Sequence, residues 1–245
     1  MSISNDPKSS ATLISYETLA QYRGQTVVRI VLDDHEAPDL RAWGRKAANL
    51  CAEWYPRISE ILGAEDSFTN RTIRLVLRPM PGVARTDPRI QQISFSSKYV
   101  RQFPNDWGLV VHELTHTIQS FGRNQPFIIN DEGADKLGSA MNGERGDEWL
   151  TEGIADYIRL EYFEPEARIP RINPDTARYT DSYKVTATFL RWIAKNREPE
   201  VVKKLNRALR DETYSVESFK TITGKSVEEL WKEFAGELRA GRVKF

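Results

Sequence analysis

The pentapeptide His112-Glu113-Leu114-Thr115-His116 places two imidazoles four residues apart, with a carboxylate next to the first of them. Asn105 or Asp106 can cap a helix that runs through the pentapeptide and ends at Gly122. Residues i and i+4 share one face of a helix, so both histidines can turn a ring nitrogen towards the same metal ion. The pattern His-Glu-x-x-His therefore predicts a metal site on this helix.

The third ligand of this predicted site has to be a carboxylate. Zinc sites in hydrolases usually take three protein ligands and leave the fourth position to water. The chain contains 3 histidines, and none follows His116. The remaining one, His35, lies in the cluster Asp33-Asp34-His35-Glu36, which we interpret as a solvated turn after a strand.

Two acids on a second predicted helix, about Asp147 to Phe163, are the candidates for this role. Glu152 and Asp156 are four residues apart and share a face of that helix. One carboxylate can bind the metal while the other accepts the outward N–H of a ligating histidine and fixes its tautomer. We predict His112, His116 and Glu152 as ligands and Asp156 as the supporting acceptor. The longer side chain favours Glu152, although the spacing alone leaves Asp156 as an alternative ligand.

The rest of the chain mixes strand and helix patterns. Runs of β-branched residues predict strands at Thr26–Leu32, Arg71–Leu77 and Ile90–Phe95. Apolar residues at steps of three and four predict helices at Asp39–Leu62, Asp181–Lys195, Glu200–Leu209, Val216–Thr221 and Ser226–Leu238. We expect a polar lead-in at residues 1–15 and a long loop, Gly122–Gly146, at the rim of the site. The pattern predicts an α+β fold in a single domain over residues 1–245.

Composition argues against several classes of protein. Lys plus Arg equals Asp plus Glu at 35 each, so no overall charge attracts the chain to nucleic acid. No segment approaches the ~18 consecutive apolar residues of a membrane span. The single cysteine, Cys51, is expected in the core as a small apolar residue. Met1–Ala11 lacks the basic and apolar regions of a secretory signal, so the compartment stays open.

Five stretches of the chain, taken in order, resemble the basic secretory protein family, a group of gluzincin-like zinc peptidases from plants and bacteria. These stretches are Pro81–Thr86, Val110–Gln119, Glu152–Arg159, Asp181–Leu190 and Gly224–Trp231. They cover most of residues 70–235 and are together more specific than His-Glu-x-x-His alone.

The resemblance implies a zincin-like fold, with a mixed sheet above, a helical part below and a metal-bearing cleft between them. It also implies that the strand near Ile90–Phe95 forms the cleft edge and pairs with an extended substrate. Plant members are basic and secreted, which suggests a secreted or periplasmic protein. This chain has a formal net charge of zero and no recognisable secretory signal. The compartment and the substrate charge of the plant members are therefore not assigned to it.

The predicted chemistry is hydrolysis of an amide bond. Zinc lowers the pKa of a bound water towards ~7, and Glu113 is placed to accept the proton of that water. The resulting hydroxide attacks the carbonyl, and Glu113 returns the proton to the leaving nitrogen. We predict Tyr183 as the donor that stabilises the oxyanion, with Tyr157, beside Asp156, as the competing candidate.

The sequence thus predicts a zinc-dependent metallopeptidase, a monomer that acts on peptide or protein substrates and needs no nucleic acid or membrane partner. One alternative is a zinc hydrolase of another amide or of a cell-wall peptide, because the metal machinery does not specify the substrate. The other is a catalytically silent, zincin-like binding or defence module. Glu113 argues against the silent module, since a purely structural ion needs no base beside its ligand.

Overall fold

The computed structural model describes residues 14–65, 71–119, 147–167 and 170–243. Within these ranges the chain forms a five-stranded mixed sheet with the strand order β1-β2-β3-β5-β4. The strands are β1 Tyr16–Tyr22, β2 Gln25–Asp33, β3 Arg71–Arg78, β4 Ala84–Asp87 and β5 Gln92–Ser96. The central strands β2, β3 and β5 are mutually parallel, whereas β1 and β4 are antiparallel to their neighbours and form the two edges.

Eight α-helices lie in the same ranges. They are α1 Arg41–Leu62, α2 Ser97–Gln102, α3 Trp107–Ile118, α4 Glu148–Ile158, α5 Tyr183–Asn196, α6 Val201–Arg210, α7 Ser218–Thr223 and α8 Val227–Arg239. A π-helical turn, Arg159–Phe163, follows α4 directly. α1 contacts β1, β2 and β3, while α3 contacts β4 and β5, so the predicted metal helix lies against one edge of the sheet.

Local sequence explains where the longest helix begins and ends. The predicted helix Asp39–Leu62 is confirmed as α1, with its first residues drawn into a 3-10 turn at Pro38–Leu40. Proline fits the first turn because its missing N–H has no helical partner there. Gly63 ends α1 in the left-handed conformation, with a φ of 63° that favours glycine.

The C-terminal half is helical, as the spacing predicted. Ser226 and Glu229 form the reciprocal hydrogen bonds of a capping box at the start of α8. α4 and α5 approach closely at Gly153, where an added Cβ would lie 2.1 Å from Cγ2 of Thr186. α5 begins at Tyr183, whose ring lies near that of His112 in α3.

The buried apolar side chains of the described residues form one cluster that runs from Ala20 in β1 to Phe234 in α8. The architecture is therefore a mixed sheet with helices, in agreement with the predicted α+β class. Cys51 is fully buried in this core, and burial raises the pKa of its thiol. No helix in the described ranges has both the length and the hydropathy to cross a membrane.

The structure corrects the assignment of the sheet edge. The predicted strand at Ile90–Phe95 corresponds to β5, which pairs with β3 on one side and β4 on the other. The expectation that this strand forms the cleft edge is therefore wrong, since β4 occupies that position. The sequence interpretation missed β4 because Ala84-Arg-Thr-Asp87 is short and polar. It also missed β1 and α2.

The predicted solvated turn around His35 is also wrong in part. Asp33 and Asp34 are 2% and 1% exposed, although His35 itself is half exposed. Asp33 pairs with Arg74 and His35, and Asp34 pairs with Arg41, so both buried carboxylates have partners. The predicted loop Gly122–Gly146, and the lead-in up to residue 13, lie outside the described residues.

Candidate metal centre

Two helices bring together three side chains that can hold a metal ion, namely His112 and His116 on α3 and Glu152 on α4. The Nε2 atoms of His112 and His116 are 3.2 Å apart. Oε2 of Glu152 lies 3.1 Å from Nε2 of His112, and Oε1 of Glu152 lies 3.5 Å from Nε2 of His116. All three residues are at least nine-tenths buried, so the cluster is shielded from bulk solvent.

These distances fit a zinc ion. Zinc binds imidazole nitrogen and carboxylate oxygen at about 2.0–2.2 Å, so two ligands at the tetrahedral angle lie roughly 3.3–3.6 Å apart. The three observed separations, from 3.1 to 3.5 Å, are close to this spacing. Two imidazole nitrogens and one carboxylate are also a donor set that zinc hydrolases use.

The outward nitrogen of each histidine has its own acceptor. Nδ1 of His112 lies 2.8 Å from Oδ1 of Asp156, and Nδ1 of His116 lies 2.8 Å from Oε1 of Gln119. The amide nitrogen of Gln119 donates to the carbonyl oxygen of Thr151 at 3.0 Å, which fixes the amide oxygen towards His116. Both rings therefore donate through Nδ1 and leave Nε2 as the metal-facing atom.

The charges around the cluster favour a cation. Desolvation, the largest single effect, lowers the pKa of His112, but hydrogen bonds to Asp156 and Glu152 raise it well above 6.5. Desolvation is also the largest single effect on His116 and lowers its pKa, but the charge of Glu152, the hydrogen bond to Glu152 and the charge of Glu113 together raise that pKa above 6.5. Desolvation raises the pKa of Glu152, yet the charge of His116 and hydrogen bonds from both rings bring it well below 4.5. A bound divalent ion satisfies the same electrostatic demand.

Glu113, the predicted base, is 6% exposed and lies next to His112 on α3. Its Oε2 atom accepts a hydrogen bond from Oγ1 of Thr86 at 2.6 Å. Thr86 belongs to β4, so the carboxylate of Glu113 is held from the edge of the sheet.

The two candidate tyrosines occupy different surroundings. The ring of Tyr183 lies 6.0 Å from the ring of His112. Burial raises the pKa of Tyr183, and the negative charges of Glu152, Asp156 and other carboxylates of the site raise it further. Tyr157 instead contacts Tyr162, with ring centroids 5.9 Å apart. The structure thus brings Tyr183 close to the candidate metal-binding residues and turns Tyr157 towards the π-helical turn.

A profile of the BSP family, described as a peptidase of plants and bacteria, matches residues 45–234, which is more than half of the 245-residue chain. The chain belongs to this family. The match confirms the resemblance inferred from the sequence motifs, and the matched region contains α3, α4 and the three clustered side chains. Membership in a peptidase family implies peptide substrates. A comparison with curated proteins found no match.

A cap and an ion pair fix the beginning of α3, the helix that carries His112 and His116. Oδ1 of Asp106 accepts from the backbone N–H of Leu109, which confirms Asp106 as the N-cap of α3. Arg159 pairs with the same carboxylate at 2.8 Å and with Glu164 at 2.7 Å. α3 is thereby tied to the segment that follows α4.

Sequence reasoning missed two side chains that touch the candidate site, Gln119 and Thr86. Gln119 follows His116 by three residues, so helical spacing was a signal that could have found it. Thr86 ends the family-like stretch Pro81–Thr86, but no local spacing connects it to the site, because only the fold brings its strand against α3.

Proposed function

We propose that this chain is a zinc-dependent metallopeptidase with a zincin-like fold, formed by a single domain over residues 1–245. The observation that carries the proposal is the convergence of His112, His116 and Glu152, with the Glu113 carboxylate beside them. The family match supports peptide hydrolysis, and the continuous buried core of the described residues supports one domain.

In this proposal His112, His116 and Glu152 hold the zinc ion, and Asp156 orients His112. When bound, zinc acidifies a water molecule and polarises the scissile carbonyl. Glu113 accepts a proton from the attacking water through its carboxylate and delivers it to the leaving nitrogen. One carboxylate therefore serves as base in the first half of the reaction and as acid in the second.

We assign the oxyanion role to Tyr183. The position of its ring, 6.0 Å from that of His112, supports this choice over Tyr157. The raised pKa of the Tyr183 phenol keeps the hydroxyl protonated, so that it can donate a hydrogen bond to a developing negative charge.

The substrate of this peptidase lies along β4 in our proposal. β4 forms an edge of the described sheet and contacts the metal helix α3. An extended peptide can add to a sheet edge through main-chain hydrogen bonds and so present its carbonyl groups at a fixed spacing. We expect a monomer to suffice for this arrangement, since both ligand helices belong to one chain.

The test compares wild type, Glu113→Gln and Glu53→Gln, the last being an exposed glutamate on α1 that serves as control. Bound metal is measured by mass spectrometry, and cleavage is measured on a mixed peptide library. We expect stoichiometric zinc in all three proteins, with cleavage by wild type and Glu53→Gln but not by Glu113→Gln.

Other outcomes separate the alternatives. Zinc in all three proteins without cleavage of the library would reject peptidase activity on free peptides, and assays on cell-wall peptides would then follow. Purification without zinc, and failure to take it up, would contradict the metal assignment itself.

A further inference from the structure

The side chain of Thr86 makes two contacts with a single residue of the metal helix. Its Oγ1 atom lies 2.6 Å from Oε2 of Glu113 and 3.1 Å from the backbone oxygen of the same residue. Thr86 is 3% exposed and Glu113 is 6% exposed, so bulk water competes little for these contacts.

The hydroxyl proton of Thr86 has two acceptors to choose between, because a hydroxyl carries one hydrogen. The backbone oxygen of Glu113 already accepts the helical hydrogen bond from residue 117. A carboxylate is the stronger acceptor, and 2.6 Å is the distance typical of a charge-assisted O–H···O bond. The proton of Thr86 therefore points at Oε2 of Glu113 while that group is ionised.

We propose that Thr86 is a positioning residue for the base Glu113, holding its carboxylate in one orientation from the edge strand. The inference rests on the proposed function for its kinetic consequence, while the positioning itself is a structural claim. When Glu113 carries the proton taken from water, the Thr86 hydroxyl can accept from the carboxyl group and donate to the backbone oxygen. The same side chain thus stays hydrogen-bonded in both halves of the reaction.

The location of Thr86 on β4 adds a geometric consequence. In β4 the Thr86 side chain faces α3, whereas the neighbouring Arg85 is exposed. Successive side chains of a strand point to opposite faces, so Thr86 points towards α3 while the residues on either side of it point away. The strand proposed to align the substrate and the base that acts on it are therefore joined by one short side chain.

The experiment uses the zinc-loaded full chain and four variants. Thr86→Val keeps the shape but removes the hydroxyl, Thr86→Ala removes it in a smaller side chain, and Thr86→Ser keeps it. Thr188→Val is the matched control, because Thr188 is also buried and donates to a backbone oxygen within α5. Zinc content and thermal unfolding establish which variants are folded and loaded.

Two measurements are made on each folded protein. The first is steady-state kinetics on the library peptide that wild type cuts fastest, and the second is the position of the Glu113 side chain in a crystal structure. We expect Thr86→Val and Thr86→Ala to lower kcat about tenfold to a hundredfold with KM little changed, because the loss is that of a hydrogen bond to a charged group. Thr86→Ser and Thr188→Val should retain kcat near that of wild type.

Each outcome decides the inference. Loss of kcat in the variants without the hydroxyl, restored in Thr86→Ser, supports it, and an unchanged kcat in Thr86→Val overturns it. If wild type cuts no peptide, the proposed function fails. The crystal structures then test by themselves whether Thr86 positions the Glu113 carboxylate. A Glu113 carboxylate that moves in Thr86→Val but not in Thr86→Ser then supports the inference, and one that stays in place overturns it.

Discussion

Oδ1 of Asp156 lies 2.8 Å from Nδ1 of His112, and this contact joins the two helices that carry the candidate metal ligands. Asp156 follows Glu152 by one helical turn, so α4 supplies both the acid that faces the cluster and the acid that supports it. The orientation of His112 therefore depends on a residue that does not itself face the metal position.

We expect Asp156→Asn to weaken zinc binding. Asparagine nearly preserves the shape but loses the negative charge that stabilises the His112 N–H, and changes of this kind cost about tenfold to a hundredfold in metal affinity. Titration with a competing chelator measures the effect. Asp175→Asn, at an exposed aspartate that pairs with Arg239, should leave zinc affinity unchanged. Equal affinity in wild type and Asp156→Asn would contradict the supporting role.

Gln119 links His116 of α3 to the backbone of α4 at Thr151, next to Glu152. We expect Gln119→Leu to lower zinc affinity about tenfold, because His116 loses its acceptor and the helices lose a shared hydrogen bond. Gln102→Leu, at an exposed glutamine in α2, is the control. Chelator titration again measures the zinc affinity. A smaller loss of affinity in Gln119→Glu than in Gln119→Leu would show that the side-chain oxygen that accepts from His116 is the important atom.

For Tyr183→Phe we expect a loss of kcat by about a hundredfold to a thousandfold, with zinc retained, because the oxyanion loses a hydrogen-bond donor. Tyr157→Phe provides the comparison, since its ring contacts Tyr162 instead of His112. Steady-state kinetics on one peptide substrate separates the two residues. The assignment of the oxyanion role would pass to Tyr157 if the larger loss appeared in that variant.

Gly153→Ala should destabilise the protein, because its Cβ would lie 2.1 Å from Cγ2 of Thr186 and force α4 away from α5. Overpacking of this kind costs about 1–3 kcal/mol, which lowers Tm by roughly 3–10 °C at this chain length. Gly236→Ala, in α8 with no neighbour within 4 Å of the added Cβ, should instead raise Tm through helix propensity. Thermal unfolding of both variants tests the contrast, and a neutral Gly153→Ala would show that the two helices can separate freely.

The buried Asp33 should contribute to stability in a pH-dependent way. Desolvation raises its pKa, but hydrogen bonds from His35 and Arg74 outweigh that effect and bring it below 3.8. A lowered folded-state pKa adds stability above the unfolded value, and this stability is lost as the pH falls through the folded-state pKa.

We therefore expect Asp33→Asn to lower Tm by a few degrees at about pH 7 and to have a smaller effect in acid, as the pH falls towards the folded-state pKa of Asp33. Asp211→Asn, at an exposed residue directly after α6, should change Tm little at either pH. Melting curves across the acid range give the comparison, and a constant difference at all pH values would exclude the electrostatic cause.

Much of the helical structure could be predicted from the sequence. The helices that became α1, α5, α6 and α8 were predicted to within a few residues, because each repeats apolar positions at helical spacing. Gly63 also marks the end of α1, and the capping box at Ser226 marks the beginning of α8. β4 could not be predicted in this way, since this four-residue stretch with three polar side chains forms a strand only because β5 offers it a partner. The edge of the sheet was misassigned for the same reason.

The sequence by itself determined His112 and His116 as candidate ligands and limited the third ligand to Glu152 or Asp156, because helical spacing is a local property and the scarcity of histidine left few other choices. Only the tertiary structure decided what surrounds them. Thr86 reaches Glu113 across 27 positions, and Tyr183 stacks near His112 from a separate helix. Such contacts depend on how strands and helices pack against one another, and no local periodicity in the chain encodes that packing.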